Sequence, residues 1–314
     1  MKNWSISGFL ALLLLAALAG CGKEPTNVVA ERVSVGIDRN VMHLVHTSGD
    51  TLLAAAGTVF VDSGGIYQSV DAGRTWQVAL ATPLAVARLS RTSAGQIYAS
   101  TLGNIYYRRD DFNAAWQATA LLGWESWRGA AWSADGRGVL VGGLNFSYGF
   151  VQRIDADGTQ AVRDSLPHEF YDAVWLGENR VVVCGYGLVL WSDDGGQTWE
   201  ASRLRGDFFQ SMHFVTEQTG YMVGKYGSIW RSDDGGKTWE RLRRASTLGN
   251  ERHRYSAVFF TSTDEGWIAG ENGTLLHTLD AGKTWQRWEV EGGEGEHFRT
   301  LCAGGRYVWL GTEG

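Results

Sequence analysis

Residues 266–288 read GWIAGENGTLLHTLDAGKTWQRW, a stretch that decides the fold because its pattern recurs along the chain. Two short apolar runs flank a Glu-Asn-Gly turn, and the signature Thr-x-Asp-x-Gly-x-Thr-Trp follows. Three further copies of the signature begin with Ser instead of Thr. Self-similarity of this kind predicts a repeat architecture. The key residues of the four copies are Ser69, Asp71, Gly73 and Trp76; Ser192, Asp194, Gly196 and Trp199; Ser232, Asp234, Gly236 and Trp239; and Thr278, Asp280, Gly282 and Trp285.

The signature tryptophans define the repeat length. When a degenerate copy that ends at Trp116 is included, the spacing between these tryptophans stays close to 40 residues or to twice that value. Such a period, with short strands between glycine-rich turns, is typical of a β-propeller. We predict an all-β fold: a seven-bladed β-propeller of four-stranded antiparallel blades, with units that begin near residues 41, 84, 126, 169, 207, 252 and 296.

The last unit is short, because residues 297–314 (HFRTLCAGGRYVWLGTEG) contain only two strand-like runs. An open ring would leave sheet edges unpaired. We therefore expect the N-terminal strand-like run in residues 27–39 (NVVAERVSVGIDR) to complete the last blade. Either this blade has three strands or the sequence is truncated.

The N-terminus has the features of a targeting segment. Lys2 precedes an apolar run of 11 residues from Phe9 to Ala19, which is too short to span a bilayer as a helix. The run ends in Leu-Ala-Gly-Cys, which resembles the bacterial lipobox, so we expect Cys21 to carry lipid. An ordinary secretory signal with a chance cysteine is the alternative. The predicted divisions are a lipoprotein signal peptide (1–20), a lipidated tether (21–30) and a single propeller domain (31–314).

The composition fits this architecture. The chain has 42 glycines for turns and 15 tryptophans for the repeats. A net charge of -6 argues against nucleic-acid binding, which favours a basic surface. The remaining cysteines, Cys184 and Cys302, fall in strands of separate repeats, and we interpret them as small buried apolar residues.

The signature itself predicts structure rather than chemistry. Short oxygen-bearing side chains bond turn N–H groups, glycine supplies a positive φ, and tryptophan packs beneath the turn. Four equivalent sites around a ring would make four identical active centres, so we predict no catalytic role. His43 and His46 are three residues apart on a predicted strand, and we expect neither a metal site nor a cofactor.

The signature is identified as the Asp-box, or bacterial neuraminidase repeat. The longer unit GYMVGKYGSIWRSDDGGKTW (220–239) is similar to that of the photosystem II stability and assembly factor family, whose cyanobacterial members include lipoproteins. The resemblance covers residues 41–314. It implies an exported, lipid-anchored, monomeric interaction platform without catalytic activity. Such a platform assists assembly or stability of a membrane protein complex, photosystem II in a photosynthetic organism, and faces the periplasm, preferably at the outer membrane, or the thylakoid lumen.

Sialidases also contain Asp-boxes, so a glycan-binding or glycan-cleaving propeller is the alternative function. That family uses three arginines around a substrate carboxylate, a Tyr–Glu nucleophile pair, an Asp acid/base and an Arg-Ile-Pro segment. No Arg-Ile-Pro occurs, and the nearest string is Arg-Ile-Asp at residues 153–155.

We expect the partner, an exposed segment of a membrane protein, to bind the face opposite the signature turns. Turns between second and third strands, and loops between blades, place aromatic and basic side chains on that face. The basic segment 241–254 is either part of this surface or a solvated loop. The predicted contact residues are Arg128, Tyr171, Tyr186, Lys225, Tyr226, Arg243, Arg244, Arg252, Arg254, Tyr255, Glu271 and Arg299.

Overall fold

The computed structural model describes residues 9–14, 29–34, 40–58, 63–122, 126–144, 148–244 and 254–313, of which 9–14, 29–34 and 163–165 are described by their backbone alone. In this part of the chain, no helix has the length and apolar character needed to cross a membrane. The regular elements described are β1 (Phe9–Leu14), β2 (Val29–Ser34), β3 (Asn40–Ser48), β4 (Thr51–Gly57), β5 (Gly64–Ser69), β6 (Gln77–Thr82), β7 (Val86–Arg91), β8 (Ile97–Thr101), β9 (Ile105–Arg109), β10 (Gln117–Ala120), β11 (Trp127–Trp132), β12 (Gly138–Leu144), β13 (Tyr148–Ile154), β14 (Gln160–Leu166), β15 (Phe170–Leu176), β16 (Arg180–Ser192), β17 (Glu200–Phe214), β18 (Gly220–Gly224), β19 (Ile229–Ser232), β20 (Glu240–Arg243), β21 (Tyr255–Phe260), β22 (Gly266–Gly270), β23 (Leu275–Thr278), β24 (Gln286–Arg287), β25 (Phe298–Gly304) and β26 (Tyr307–Thr312).

The strands form successive antiparallel sheets in which sequence neighbours are also spatial neighbours. Four-stranded sheets are formed by β3–β6, β7–β10, β11–β14 and β21–β24, and a six-stranded sheet is formed by β15–β20. The long strand β17 pairs with β16 in its first half and with β18 in its second. The first strands of successive units contact one another in a closed ring, from β3 through β7, β11, β15, β17, β21 and β25 back to β3. The prediction of an all-β propeller with four-stranded antiparallel blades is confirmed.

The N-terminal strands lie in the same sheet as the C-terminal ones, in the order β25-β26-β1-β2. The expectation for residues 27–39 is therefore met in part. Strand β2 lies in this sheet but at its outer edge, whereas β1 pairs directly with β26, for example Leu12 with Trp309. The expectation left out β1, because its residues belong to the apolar run that the sequence assigns to the signal peptide. An apolar run can also pair with a free strand edge, and here it occupies the edge of β26. Removal of residues 1–20 stays a prediction.

The hydrophobic core lies between neighbouring sheets. In one cluster, Val139 and Val141 of β12 pack with Val181 and Val183 of β16. Two other clusters likewise combine residues of adjacent sheets, and a further one joins the two halves of the six-stranded sheet. The two described cysteine thiols, in β16 and β25, are both buried in such clusters, in agreement with the sequence interpretation.

The signature forms a hydrogen-bonded turn between the third and fourth strands of a unit. In the copy after β19, Ser232 Oγ donates to Asp234 Oδ1 (2.9 Å) and accepts from the Gly236 N–H (2.9 Å). Asp234 also accepts from the backbone N–H of Thr238 (2.9 Å) and from its hydroxyl (2.5 Å). Trp239 Nε1 donates to the carbonyl of Gly236, whose φ is 86°. The Ser/Thr–Asp, Gly–Ser/Thr and Asp–Thr bonds recur in the other three copies.

Each signature turn is tied to the first hairpin turn of its own unit. The Gly235 N–H donates to the carbonyl of Gln218 (2.9 Å), and equivalent bonds occur in the other copies. Turns between second and third strands bond instead to the loops between units, as when the Lys225 N–H donates to the Phe208 carbonyl (2.7 Å). We call the side with the signature turns the signature face and the opposite side the loop face.

An ion pair of a half-buried arginine and a fully buried aspartate joins two first strands of the ring across a third. Arg88 Nη2 on β7 lies 2.6 Å from Asp172 Oδ1 on β15, so the pair spans the intervening strand β11. At that point β11 carries Gly129, where a Cβ would lie 2.8 Å from the Cα of Asp172. Asp172 also accepts from the N–H groups of Ala173 and Met212. Burial raises the pKa of Asp172, and Arg88 with these N–H donors opposes the shift.

Removal of the Arg88 guanidinium should destabilise the ring strongly. Arg88→Met leaves the buried Asp172 carboxylate without its counter-ion, a change that costs about 3–5 kcal/mol. The additional change Asp172→Asn should restore part of the free energy of unfolding, because a neutral amide needs no cation. Urea unfolding of the single and double variants measures both effects. A double variant with a lower free energy of unfolding than Arg88→Met would contradict this interpretation.

Loss of a signature carboxylate should also lower stability. Asp234→Ala removes the acceptor for the Thr238 N–H and hydroxyl, and we expect a loss of about 2 kcal/mol in the free energy of unfolding. Asp233→Ala is the matched control, since Asp233 is exposed and forms a surface ion pair with Arg231. Equal unfolding midpoints for the two variants would refute a structural role for the signature carboxylate.

The same carboxylates should make stability fall in acid. Burial opposes ionisation of Asp194, but bonds from the Thr198 hydroxyl and N–H, the Ser192 hydroxyl and the Gln197 N–H outweigh it and lower its pKa from 3.8 to about 2. Because the unfolded chain binds protons at higher pH than the folded one, this stabilisation is complete above about pH 4 and is lost towards pH 2. Melting temperatures from pH 6 to pH 2 should show the gap between wild type and Asp194→Asn closing with acid. A gap independent of pH would contradict the pKa shift.

Candidate functional site

A cleft of about 480 Å³ opens on the loop face of the six-stranded sheet. It lies at the start of β15, at the bend in the middle of β16, in the middle of β17 and at the turn between β18 and β19. We call it the aromatic cleft, and its lining residues are Pro167, His168, Tyr171, Tyr186, Phe208, Lys225 and Tyr226. Four of the predicted contact residues are therefore brought together by the fold.

Backbone bonds fix the walls of the aromatic cleft. The Tyr186 N–H donates to the carbonyl of Glu169 (3.1 Å), which anchors the bend of β16 on the preceding loop. The register of β16 shifts at this bend, where Gly187 has a φ of 62°. A bulge of this kind re-aims a side chain, and Tyr186 is 40% exposed.

A buried carboxylate positions the opposite wall. Asp207 Oδ1 accepts from the N–H groups of Phe208 and Tyr226, both at 2.7 Å, and Oδ2 accepts from the Ser228 N–H at 2.9 Å. Burial raises the pKa of Asp207, while the bonds from Ser228 and the other N–H donors oppose the shift. A Cβ on the neighbouring Gly224 would lie 2.2 Å from the carboxyl carbon, so only glycine fits there. Asp207 therefore sets the positions of two cleft aromatics.

The aromatic rings surround Phe208. Its ring centroid lies 4.1 Å from that of Tyr186, 5.9 Å from that of Tyr226 and 6.3 Å from that of Tyr171. The rings of Tyr171 and Tyr226 stand nearly perpendicular to that of Phe208. His168 packs edge-on against Tyr186 at 5.5 Å. The cleft thus presents ring faces and ring edges at several angles, which suits an incoming apolar or aromatic group.

A charged bridge separates the aromatic cleft from the centre of the ring. Arg128 Nη2 on β11 lies 2.5 Å from Glu169 Oε1, and the Tyr171 hydroxyl donates to Glu169 Oε2 (3.2 Å). The guanidinium of Arg128 lies 4.9 Å from the Tyr171 ring centroid. Arg128 and Tyr171 also line a central cavity of about 810 Å³. The aromatic cleft and the central cavity therefore share the wall formed by Tyr171.

Other predicted contact residues form a separate polar cluster at the ends of β21, β22, β25 and β26. Arg254 donates to Glu271 (3.3 Å), and His297 Nδ1 lies 3.3 Å from Glu313. Arg299 pairs with the same Glu313, whose pKa is lowered because Arg299 and His297 outweigh its burial. Each of these charges is thus partly compensated by a neighbour.

Tyr255 is not at the surface, contrary to the expectation from its place at the start of an inner strand. Its side chain is 1% exposed and packs with Val223 and Ile229 of the preceding sheet. Burial raises its pKa to about 12, against the nearby Arg243 guanidinium, which lies 5.9 Å from the ring. The register of β21 shifts directly after Tyr255, and the sequence pattern carries no sign of that shift. Arg244 is exposed. The predicted sites Arg252 and Cys21 lie outside the described residues.

Sequence reasoning missed Phe208, the central ring, and Asp207, which holds it in place. The available signal was an acidic residue followed by phenylalanine at the start of two successive units, at residues 169–170 and 207–208. The prediction used these positions only to mark where units begin.

The central cavity does not have the electrostatics of a sialidase site. Its wall contains Arg88, Arg128 and Arg299, but each guanidinium is engaged by a carboxylate of this chain. The Tyr171–Glu169 pair is present, yet burial and Glu169 raise the pKa of Tyr171 to about 12, although Arg128 opposes the shift. A tyrosine nucleophile needs the opposite shift. Within the described residues, no group of three or more His, Cys, Asp or Glu side chains is placed to hold a metal ion.

Curated relatives resemble about half of this chain. The photosystem II assembly protein Ycf48 of Thermosynechococcus vestitus is 36% identical over 173 residues, which is 52% of this chain and 49% of that protein. The photosystem II assembly lipoprotein Ycf48 of Trichormus variabilis is 43% identical over 177 residues, which is 52% of this chain and 50% of that protein. The chain therefore spans about half the length of the curated relatives it matches.

Solved structures share the fold at low sequence identity. YCF48 from Cyanidioschyzon merolae superposes with a TM-score of 0.66 at 12% identity and covers 90% of this chain and 96% of that chain. A structure titled YCF48 bound to D1 peptide gives a TM-score of 0.57 at 16% identity and covers 83% and 82% of the two chains.

The family model described as photosynthesis system II assembly factor YCF48 matches residues 50–208 and 206–293. These two ranges contain most of the strands of the ring and all four signatures. The family suggested by the repeat pattern is thereby confirmed, and the chain belongs to the photosynthesis system II assembly factor YCF48 family.

Proposed function

We propose that this protein is an exported, lipid-anchored, non-enzymatic platform that binds an exposed segment of a photosystem II membrane protein on its loop face. Binding of that segment would assist assembly or stability of the complex. The single observation that carries the proposal is the aromatic cleft, a half-exposed group of rings in a member of an assembly-factor family. The solved relative with a bound D1 peptide supports the choice of a peptide segment as ligand.

The chemistry of the loop face favours binding over catalysis. Aromatic side chains contribute much of the energy of protein recognition, because they bury large areas at little entropic cost. The carboxylates near the cleft, Glu169 and Asp207, are buried and already bonded to neighbouring groups. They hold other residues in place, so neither is available as an acid or base for a substrate.

The proposed architecture is a monomeric ring of seven blades. The six-stranded sheet counts as two blades, because β17 serves one unit with its first half and the next with its second. Strands β25 and β26 belong to the seventh blade, whose sheet also contains the N-terminal strands, and cleavage before Cys21 would remove β1 from that sheet. The closed ring of first strands supports this count.

We further propose that lipid on Cys21 holds the propeller at a membrane surface, with residues 21–30 as a tether and the domain from residue 31 onward. The lipobox-like sequence and the lipoprotein name of one relative support the anchor. The protein would face the periplasm, with the outer membrane favoured, or the thylakoid lumen of a cyanobacterium. A tether of this kind would let the loop face reach segments that emerge from the bilayer.

Partner contacts would be centred on the aromatic cleft and continue across the loop face. Tyr171, Tyr186, Lys225 and Tyr226 would form the core of the interface, and Arg128 would border it. The polar cluster and the basic segment would extend it at the rim; their residues are Arg243, Arg244, Arg252, Arg254, Glu271 and Arg299.

The double variant Tyr186→Ala, Tyr226→Ala should capture at least about tenfold less photosystem II protein than wild type, because it removes two cleft walls while Phe208 stays in place. Purified propeller on beads, incubated with a solubilised photosystem II assembly fraction, measures capture by identification of the bound subunits. Val70→Ala is the control, since Val70 is 64% exposed on the signature face. Undiminished capture by the double variant with an unchanged melting temperature would exclude the cleft, and absence of any photosystem II subunit with wild type would exclude the partner.

A further inference from the structure

We propose that the aromatic cleft selects a segment in which one aromatic or large aliphatic side chain lies next to carboxylates. This inference rests on the proposed function and adds the chemistry of the segment. It follows from two separate features of the cleft, its ring geometry and the sign of the charges at its border.

The ring geometry provides a seat for one large apolar side chain. Phe208 is buried at the floor, while Tyr186 is among the most exposed large apolar side chains on the loop face. The rings of Tyr171 and Tyr226 are nearly perpendicular to the Phe208 ring, so neither of them is stacked on its face. A volume of about 480 Å³ falls within the range of ligand pockets. An incoming phenylalanine, tyrosine or leucine side chain would fill it.

Among the described side chains, the charges at the border that reach solvent are positive, although the chain carries a net charge of -6. Lys225 lines the cleft itself. Arg203 and Arg205 are both exposed on β17, in the run that leads to Phe208. The pKa of His168 in the cleft wall is lowered by burial and by Arg203, so the field of Arg203 reaches the cleft.

The carboxylates nearest to the cleft do not cancel these charges at its mouth. Glu169 is 1% exposed and paired with Arg128. Asp207 is likewise buried and directs both oxygens at backbone N–H groups. An acidic segment would therefore meet exposed cations and no exposed carboxylate of either residue, whereas a lysine-rich segment would meet like charge.

The same charges argue against a cationic ligand. Aromatic cages bind ammonium groups because the ring faces are electron-rich. Here Lys225 lines the cleft and the charge of Arg203 acts on His168 in its wall, so a further cation would be repelled. Among ligands that insert a group between aromatic rings, an apolar side chain with an acidic neighbour fits both the rings and the charges.

Peptide binding to the purified protein tests the inference. The probe is a fluorescein-labelled peptide Gly-Ser-Asp-Phe-Asp-Glu-Gly-Ser, measured by fluorescence polarisation and confirmed by competition with the unlabelled peptide. Replacement of Phe by Ala, or of the three acidic residues by Lys, should weaken binding to wild type by about tenfold each. Affinity for the acidic probe should also fall with added salt.

Protein variants assign the effect to the cleft. Tyr186→Ala, Tyr226→Ala should weaken probe binding by about tenfold, and Lys225→Ala should weaken it by about threefold and flatten its salt dependence. Lys283→Ala is the matched control, because Lys283 is exposed on the signature face, and it should leave binding unchanged. Probe binding that is equal for the acidic and Lys-substituted peptides, or equal for Lys225→Ala and wild type, would overturn the inference.

The capture experiment separates this inference from the proposed function. In one outcome, capture of photosystem II subunits depends on Tyr186 and Tyr226, but peptides bind equally with or without Phe and with acidic or Lys residues. This outcome would support the proposed function and refute the chemistry proposed here. Selective peptide binding without any capture would support the chemistry of the cleft and refute the partner.

Discussion

The hydrogen bond between a carboxylate and backbone N–H groups is the interaction on which this structure depends most. On the signature face, Asp234 and its equivalents hold the turn between the third and fourth strands of a unit. In the centre, Asp172 bonds the N–H of Met212 and pairs with Arg88 across β11. On the loop face, Asp207 holds the turn that carries Tyr226. A short side chain with two oxygens satisfies several N–H groups at once, and an unmet N–H in a tight turn would be costly.

The signature carboxylates serve the architecture of every unit, whereas Asp172 and Asp207 each make bonds that occur at one place in the ring. The signature copies make the same bonds at each position, so they can only stabilise each unit in the same way. Asp172 and Asp207 have no counterpart in the signature and bond residues of neighbouring units or turns. Asp172 bonds residues 40 or more positions away, and Asp207 bonds the turn 19 to 21 positions away that forms one wall of the aromatic cleft. The distinctive surface of this propeller is therefore found where its units differ from one another.

Electrostatics on the loop face follow the same division. Arg88, Arg128, Arg254 and Arg299 are each engaged by a carboxylate of the chain, so the centre of the ring and the polar cluster are largely neutralised. The cations near the aromatic cleft, the exposed Arg203 and Arg205 and the half-buried Lys225, are the ones available to an incoming ligand. An acidic protein can present a basic binding surface in this way, because the two acids next to that surface, Glu169 and Asp207, are buried.

The sequence by itself determined the repeat, the place of the signature turns and the starts of the units. It could do so because the bonds of the signature join residues no more than four positions apart, so the spacing of Ser232, Asp234 and Gly236 encodes them directly. It also placed Tyr186 and Lys225 on one face, since turns between successive strands alternate sides. Only the tertiary structure decided that Tyr255 is buried, that Phe208 is the centre of the cleft, and that β1 lies between β26 and β2. These outcomes depend on register shifts and on packing between sheets, and such contacts between distant residues leave no periodic trace in the sequence.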